Sequence, residues 1–462
     1  MSDTSRTPTF VPRRRRGAEL ALLFISLLVG LGAYVCVELG FSGTAPDTDT
    51  YIVLGGIVAL AVVAHVAVRR LAPYADPVLL PLVVTLNGLG LAMIHRIDLD
   101  LAESESDFGP FAGAQLTWTV LGVVGFVAVL LVVRDHRRLQ ALTYTFGFAG
   151  LLLLLLPIVP GLGVPINGAR IWIRVGPFSF QPGEIAKICL VVFFAGYLVV
   201  KRDALALAGR RFLGIDLPRG RDLGPILVAW LVSLAVLVFQ RDLGSSLLFF
   251  GLFLVLLYVA TERPGWLVVG GLLFAAGAYV SFLSFPHVQK RVEGWLDPFS
   301  DTDTYGQIVQ GVYGMAYGGL LGRGLGQGDP TMTPYSWSDF IVTSLGEELG
   351  LAGMMALLMI YALVVERGLR TALVCRDPFG KLVATGLAVS IALQVFVVVG
   401  GVTRLIPLTG LTTPFMSQGG SSLVANWMII ALLLRISDQT RRPAPEALPL
   451  TPDDATQVVK LR

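Results

Sequence analysis

The sequence predicts an all-α polytopic membrane protein with about twelve transmembrane helices. Of its 462 residues, 54% are hydrophobic and only 15% are charged, whereas soluble domains usually carry about 25% charged residues. The mean hydropathy is +0.73. The apolar residues fall into runs of about 20, the length that crosses a bilayer as a helix. These observations exclude an ordinary soluble domain.

Twelve apolar runs define the predicted helices. The first follows a polar segment with five arginines and has no small-residue cleavage site after it, so we expect an uncleaved span rather than a signal peptide. An even number of spans places both termini on the same side. The predicted spans are 20–39, 51–68, 77–94, 114–133, 139–159, 184–200, 223–240, 244–260, 266–285, 339–365, 381–402 and 420–435.

Basic residues orient these spans. With the N-terminus in the cytoplasm, the predicted cytoplasmic segments hold 26 of the 35 Lys and Arg residues and the external segments hold 8. The positive-inside rule expects this bias. We therefore predict a basic cytoplasmic tail at 1–18, N-terminal transmembrane helices over 19–160, a membrane core over 161–435 and a flexible cytoplasmic tail at 436–462.

Three external segments follow from this orientation. Residues 95–113 are acidic and are expected to be a solvated loop. Residues 160–183 alternate aromatics with arginines, a pattern typical of a segment at the membrane surface. Residues 286–338 form a loop of about 50 residues before the tenth span. Loops longer than about 12–15 residues are usually functional or disordered, and the glycines and aromatics of this one favour function.

The stretch from Trp337 to Gly350 places three carboxylates at the mouth of the tenth span, where each charge costs roughly 2.5–3.5 kcal/mol. Asp339 lies at the interface and is suited to act as a general base on a hydroxyl. The alternative is that Asp339 caps the helix. Glu347 and Glu348 lie roughly 12–14 Å deeper. We expect them to balance buried cations such as Lys187 or Arg241, or to form a polar helix contact.

Other charges gather at the outer ends of spans. Glu184 and Lys187 are three residues apart, so on a helix they share a face and can pair. Asp242 opens the eighth span, and Arg323 lies in a glycine run that lets backbone amides approach an anion. The pattern indicates an anionic lipid head group, and the alternative is internal ion pairing that fixes helix packing. The cations expected to meet the head group are Arg170, Arg174, Arg241 and Arg323.

Several classes of chemistry have no signature in the chain. Its three cysteines are scattered and its four histidines are isolated, so neither a disulfide framework nor a zinc site is predicted. No P-loop and no G-x-S-x-G element occurs. A pair of external carboxylates at glycosidase spacing is also missing. Nucleotide chemistry and nucleic-acid binding are therefore not expected.

Polar motifs run in order between about 160 and 435. They are Asn167-Gly168-Ala169-Arg170, Gly176-Pro177-Phe178-Ser179-Phe180-Gln181-Pro182-x-Glu184-x-Ala186-Lys187, Gln240-x-Asp242-Leu243-Gly244, Gly324-Leu325-Gly326, Asp339-Phe340-Ile341, Gly346-Glu347-Glu348-Leu349-Gly350, Thr409-Gly410-Leu411-Thr412-x-Pro414-Phe415 and Gly419-Gly420-Ser421-Ser422. Together they resemble the shape, elongation, division and sporulation (SEDS) family of RodA and FtsW. Two N-terminal spans beyond the family's usual ten and the short tail favour the rod-elongation branch.

This resemblance implies a peptidoglycan glycosyltransferase of the bacterial plasma membrane that polymerises lipid II into glycan strands at the outer face. It implies a class B penicillin-binding protein as partner, contact with membrane lipids, and Asp339 as the general base. A divalent cation, Mg²⁺ or Mn²⁺, is an optional helper of the departing pyrophosphate. The acids with a structural or functional role are Glu184, Glu347 and Glu348. The residues expected to bind substrate are Arg170, Lys187, Gln240, Asp242, Gln310, Arg323, Ser417 and Ser422.

Two other functions fit the composition. A transporter that flips lipid-linked precursors would carry ionisable residues near the midplane of two repeated halves. The depth of Glu347 and Glu348 partly suits that, whereas the absence of a visible repeat and the charges at the outer face do not. A scaffold without chemistry would tolerate alanine at Asp339.

Overall fold

The structure is a computed structural model that describes residues 16–106, 108–166, 169–176, 178–206, 210–212, 215–217, seven single positions between 224 and 235, and 242–443. The helices in this part of the chain are α1 (Arg16–Ser42), α2 (Thr48–Leu71), α3 (Leu79–Glu103), α4 (Ala112–Val132), α5 (Arg137–Ala141), α6 (Thr143–Leu155), α7 (Pro182–Ala206), α8 (Leu243–Thr261), α9 (Gly265–Ser284), α10 (Pro286–Leu296), α11 (Thr302–Gly318), α12 (Ile341–Val374), α13 (Pro378–Val402) and α14 (Gly420–Arg441). The strands are β1 (Gly163–Ile166), β2 (Ala169–Val175), β3 (Phe178–Phe180), β4 (Arg210–Phe212) and β5 (Ile215–Leu217). Short 3₁₀ turns lie at Leu156–Ile158 and Pro330–Met332.

The described residues contain ten helices that are long and apolar enough to cross a membrane, and each overlaps a predicted span. This confirms the helical membrane class. The predicted span 139–159 appears as α5, α6 and a 3₁₀ turn, and its apolar helix Thr143–Ile158 is shorter than the ten. The predicted span 223–240 lies mostly outside the described residues. The count of twelve therefore stays a prediction.

The segment 160–183 is a small antiparallel sheet, which qualifies the all-α prediction. Strand β2 is central and pairs with β1 and β3, and Ile173 lies opposite both Gly163 and Phe180. β-branched residues occupy every second position of β2 from Ile171 to Val175, with Trp172 between two of them, and such residues favour a pleated, half-buried surface. The strands β4 and β5 form a second, two-stranded hairpin.

The acidic segment 95–113 is the predicted solvated loop only in its middle, where residues 104–105 and 108–110 are exposed and lie outside the helices. Helix α3 continues to Glu103, so Asp98 and Asp100 lie on its last turns. The Asp98 carboxylate accepts hydrogen bonds from the backbone N–H groups of Phe111, at 2.7 Å, and Ala112, at 2.6 Å, which begin α4. Asp100 pairs with Arg96. These partners hold both carboxylates in place at the end of α3.

Four helices form the centre of the bundle. Within their membrane spans, 83% of α3, 78% of α7, 72% of α13 and 89% of α14 is buried, whereas only 6% of α9 is. Helix α9 therefore faces the membrane. Helix α1 packs closely on α3, because a Cβ added at Gly88 would lie 2.9 Å from the Cα of Gly30. Such small-residue crossings let backbones of membrane helices approach.

Helix α12 is broken at Gly350, where φ is +68° and ψ is −172°. The loop after α11 inserts at the break. The carbonyls of Glu347 and Glu348 accept the N–H groups of Arg323, at 3.1 Å, and Gly324, at 3.0 Å. On the other side of the break, the N–H groups of Leu351 and Ala352 donate to the loop carbonyls of residues 319 and 320. The loop replaces the helical hydrogen bonds that the kink removes.

Candidate active site at the start of helix α12

Asp339 lies in a tight turn immediately before α12. The turn is closed by hydrogen bonds from the N–H groups of Ser338, at 3.0 Å, and Phe340, at 3.2 Å, to the carbonyl of Tyr335. The helix N-cap is Phe340, without a side-chain capping bond. The capping alternative for Asp339 is therefore wrong. Its side chain is half-buried.

The charge that acts on Asp339 is Arg291 of α10. A Cβ built on Gly410 would lie 3.7 Å from Oδ2 of Asp339 and 3.6 Å from a guanidinium nitrogen of Arg291, so both groups flank this glycine. Gly410 has φ of +78°, a conformation that favours glycine. Burial raises the pKa of Asp339 to about 6, and the positive charge of Arg291 opposes part of that rise.

The carboxylate of Asp339 has free acceptor capacity. Within the described part of the chain, no hydrogen bond reaches it. Arg291 instead donates to the carbonyl of Leu408 at 2.8 Å. Burial lowers the pKa of Arg291, and the charges of Asp242 and Asp339 oppose that effect. A carboxylate with a pKa near neutral and an open acceptor is suited to take a proton from a hydroxyl.

Asp242 is the second acid that faces Arg291. Its Oδ1 accepts the N–H of Ser245 at 2.9 Å and so caps α8. Its Oδ2 is buried and has no hydrogen-bond partner among the described residues. Burial raises the pKa of Asp242, and Arg291 opposes part of this rise. The predicted site residues Asp339 and Asp242 are thus brought together through one guanidinium.

A hydrogen-bonded network continues from this region into the bundle. Lys187 donates to Glu184 and to the side-chain oxygen of Gln394, both at 2.9 Å, which confirms the predicted Glu184–Lys187 pair. The amide nitrogen of Gln394 donates to the carbonyl of Thr412, at 2.9 Å, and to the hydroxyl of Ser422, at 3.3 Å. The predicted residues Glu184, Lys187 and Ser422 therefore belong to one buried network.

Ser417 holds the turn that carries Asp339. Its hydroxyl donates to the carbonyl of Ser338 at 2.6 Å and accepts the N–H of Thr413 at 2.8 Å. The N–H of Gln418 also donates to the carbonyl of Trp337 at 2.8 Å. The segment before α14 is thereby fastened to the residues before α12.

The glutamates of α12 form a separate cluster. Nε of Arg96 donates to Glu348 at 2.9 Å, and the other Glu348 oxygen accepts the N–H of Gly326 at 3.0 Å. Glu347 accepts the N–H of Asp329 at 2.9 Å. The expectation that these acids balance Lys187 is wrong, because Lys187 pairs with Glu184. The partner cation of Glu348 is Arg96, and the two glutamates hold the loop 319–329 against the kink of α12.

The other predicted residues lie elsewhere. Arg170 is exposed on β2, and within the described residues no hydrogen bond or ion pair connects it with Asp339. Arg323 is exposed, with its guanidinium 5.9 Å from the ring centre of Tyr317. Gln310 is half-buried on α11, and the next residue packs against the ring of Phe340. Gln240 and Arg241, both predicted from the sequence, lie outside the described residues.

Three residues that contact the acids or their network were not predicted from the sequence. Arg291 had a signal, since it is one of few cations in the large external loop. Gln394 had one too, as an amide within an apolar span. Arg96 lies 252 residues from Glu348, and no local sequence pattern predicts that the two residues pair. Among the described residues, no group of three or more His, Cys, Asp or Glu is arranged to hold a metal ion.

Fold and site together define a polytopic helical membrane protein with a carboxyl group of near-neutral pKa at one end of its helix bundle. Residues 77–442 match the sequence model of the FtsW, RodA and SpoVE family, described as cell cycle proteins. The chain belongs to this family. Helices α1 and α2 precede the matched region.

Relatives with assigned names agree with this family. A peptidoglycan glycosyltransferase RodA of Mycobacterium bovis is 50% identical over 434 residues, covering 93% of this chain and 92% of the relative. A probable peptidoglycan glycosyltransferase FtsW of Geobacter metallireducens is 32% identical over 370 residues, covering 79% and 95%. The structure of a peptidoglycan synthase complex, solved to study how polymerization and crosslinking are coordinated, matches with a TM-score of 0.64 and 28% identity, covering 79% of this chain and 98% of that chain.

Proposed function

We propose that this protein is a peptidoglycan glycosyltransferase that polymerises lipid II into glycan strands, with Asp339 as the general base. The observation that carries the residue assignment is the Asp339 carboxylate itself, with a pKa of about 6 and no hydrogen bond from the described residues. A relative named peptidoglycan glycosyltransferase RodA is 50% identical to this chain over 93% of its length, which supports the reaction.

The 4-hydroxyl of the acceptor sugar transfers its proton to Asp339, and the oxygen attacks C1 of the donor sugar. The bond between C1 and the pyrophosphate oxygen breaks with inversion, and the lipid pyrophosphate leaves with the electron pair. Arg291 keeps Asp339 ionised in the resting state and adds positive charge where the anion develops.

A divalent cation, Mg²⁺ or Mn²⁺, belongs to the proposal as a helper of the leaving group. Magnesium is typically held by one or two carboxylates together with substrate phosphates. Asp242 fits that role, because its buried Oδ2 has no hydrogen-bond partner in the described part of the chain. The bound cation would neutralise pyrophosphate charge. Chelation should then lower the polymerisation rate and Mg²⁺ should restore it, whereas an unchanged rate removes the cation from the proposal.

Orientation and partners complete the proposal. The distribution of Lys and Arg supports cytoplasmic termini and a site at the outer face of the bacterial plasma membrane. The similar synthase complex combines polymerization with crosslinking. This supports a class B penicillin-binding protein as the partner of this chain.

The test uses the purified full-length protein with lipid II, with and without the crosslinking partner, and measures polymer length and rate. Asp339→Asn keeps the volume and removes the base, so the rate should fall by about 10²–10⁴. Asp303→Asn, an exposed carboxylate on the same external segment, is the matched control and should be unchanged. Normal polymerisation by Asp339→Asn would refute the assignment. Lipid II translocation in vesicles without any polymer, equal in both proteins, would indicate a transporter instead.

A further inference from the structure

A groove of about 560 Å³ runs between α1, α3 and α12, on lipid-facing surface of the bundle. We call it the α1 groove. Leu22, Val29 and Cys36 line it from α1, and Gly353 and Ala356 line it from α12. The small residues of α12 leave the space that larger side chains would fill.

The lining of the α1 groove suits only hydrocarbon. The two hydroxyls among its lining residues are already used, because Ser26 donates to the carbonyl of Pro81 at 2.8 Å and Thr85 to the same carbonyl at 3.1 Å. The side chains of Ile25 and Val29 are 55% and 44% exposed, so the groove opens toward the bilayer. A polar ligand would find no partner there.

The dimensions of the groove select the kind of occupant. From Leu22 to Cys36 the wall extends about 21 Å along α1. An extended acyl chain of a phospholipid has a similar length, so it can follow the groove along α1 and bury its methylene groups against the apolar lining. The length and the lining of the groove therefore fit an extended hydrocarbon chain.

A cation lies near the end of the groove that the external loop closes. Leu325 lines the groove, and Arg323 precedes it by two residues, which span at most about 7 Å. The Arg323 side chain is exposed. A cation at the membrane surface attracts anionic lipid head groups. We propose that the α1 groove binds one acyl chain of a resident anionic phospholipid whose head group lies near Arg323.

A phospholipid is favoured over the polyprenyl chain of the substrate. One wall of the groove is α1, which lies before residue 77, where the match to the family begins. A site for the chemistry that the family shares would be built from the shared region. The groove instead borders Leu349, next to the glutamates that hold the loop. A bound chain would therefore brace the kinked part of α12.

The experiment uses full-length protein in nanodiscs of equal parts phosphatidylglycerol and phosphatidylcholine, followed by native mass spectrometry of retained lipid. Wild-type protein should retain one phosphatidylglycerol. Ala356→Phe fills the groove from its exposed side and should reduce retention at least tenfold, as should Val29→Phe. Ala352→Phe places the same ring on an exposed position of α12 that does not line the groove, and should retain the lipid. Equal retention by the Ala356 and Ala352 variants, with unchanged melting temperatures, would overturn the proposal.

Two further arms identify the ligand. Arg323→Gln should keep the chain but remove the preference for phosphatidylglycerol over phosphatidylcholine, and an unchanged preference refutes the role of Arg323. Added undecaprenyl phosphate should leave the retained phosphatidylglycerol in place. Its one-for-one displacement would show that the groove belongs to the polyprenyl substrate, and displacement by an added hydrophobic transmembrane peptide would show that the groove binds a partner helix instead.

Discussion

Replacing Arg291 by Gln should change how the polymerisation rate depends on pH. Arg291 and Asp339 flank Gly410 without direct contact, so a separation on the order of 7 Å and an effective dielectric of about 20 give an attraction on the order of 2 kcal/mol. Discounting for the half-exposed carboxylate leaves about 1.4 kcal/mol, or about tenfold in its acid dissociation constant. The base must be ionised, so losing the cation raises the pKa of Asp339 and removes active enzyme at low pH.

From a wild-type pKa of about 6, the rate of Arg291→Gln relative to wild type, after both are normalised to their alkaline plateaus, should fall about twofold at pH 7 and about fivefold at pH 6. Initial rates of lipid II polymerisation between pH 5 and 9 measure this. Lys290→Gln removes the neighbouring exposed cation and should leave the profile unchanged. A loss in Arg291→Gln that is the same at every pH would refute the electrostatic reasoning and leave Arg291 a role in leaving-group binding alone.

Three further predictions concern the scaffold of the site. Arg96→Met leaves Glu348 buried without its cation and should cost about 3–5 kcal/mol of stability, seen as a lower melting temperature in detergent. The double variant Arg96→Met, Glu348→Met should recover much of this loss, and equal melting temperatures of the single and double variants would contradict the prediction. Gly350→Ala should destabilise the protein, because φ is +68° and its Cβ would lie 2.2 Å from a loop nitrogen, while Gly277→Ala, with open space around it, should be tolerated. Ser417→Ala removes two hydrogen bonds from the turn that carries Asp339, the proposed base, and should cost about 1–3 kcal/mol and lower kcat more than it raises KM; a normal kcat would show that the turn holds without it.

The helical membrane architecture was accessible from the sequence because each crossing carries its own local signal. About 20 apolar residues in a row identify a span without reference to any other part of the chain. The same reasoning missed the sheet over 163–180, because its strands are short and their pairing depends on turns. The predicted third span ended at residue 94, whereas α3 continues to Glu103. Acidic residues such as Asp98 and Asp100 are typical of a loop, and only their partners in the folded protein show that they belong to the helix.

The site was predicted in part. Contacts between residues close in sequence were found, and contacts between distant segments were not. The Glu184–Lys187 pair lies within one helix turn and was found from spacing alone. Asp339 was found because a charge at a span boundary is costly. The partners Arg291 and Arg96 come from distant segments, and only packing of the helices brings them to their acids. Sequence spacing carries no information about such contacts.

The acids near the start of α12 show why carboxylates that are close in sequence are suited to opposite roles. Both oxygens of Glu348 are occupied, by Arg96 and by the Gly326 N–H. These contacts hold the loop, so a proton transferred to Glu348 would weaken the interactions with Arg96 and with the Gly326 N–H. Asp339 has the reverse arrangement, with burial that raises its proton affinity and one cation near it that limits the rise. A general base needs this combination, because a carboxylate whose oxygens already accept hydrogen bonds from the protein would have to lose those bonds to accept a proton from a substrate.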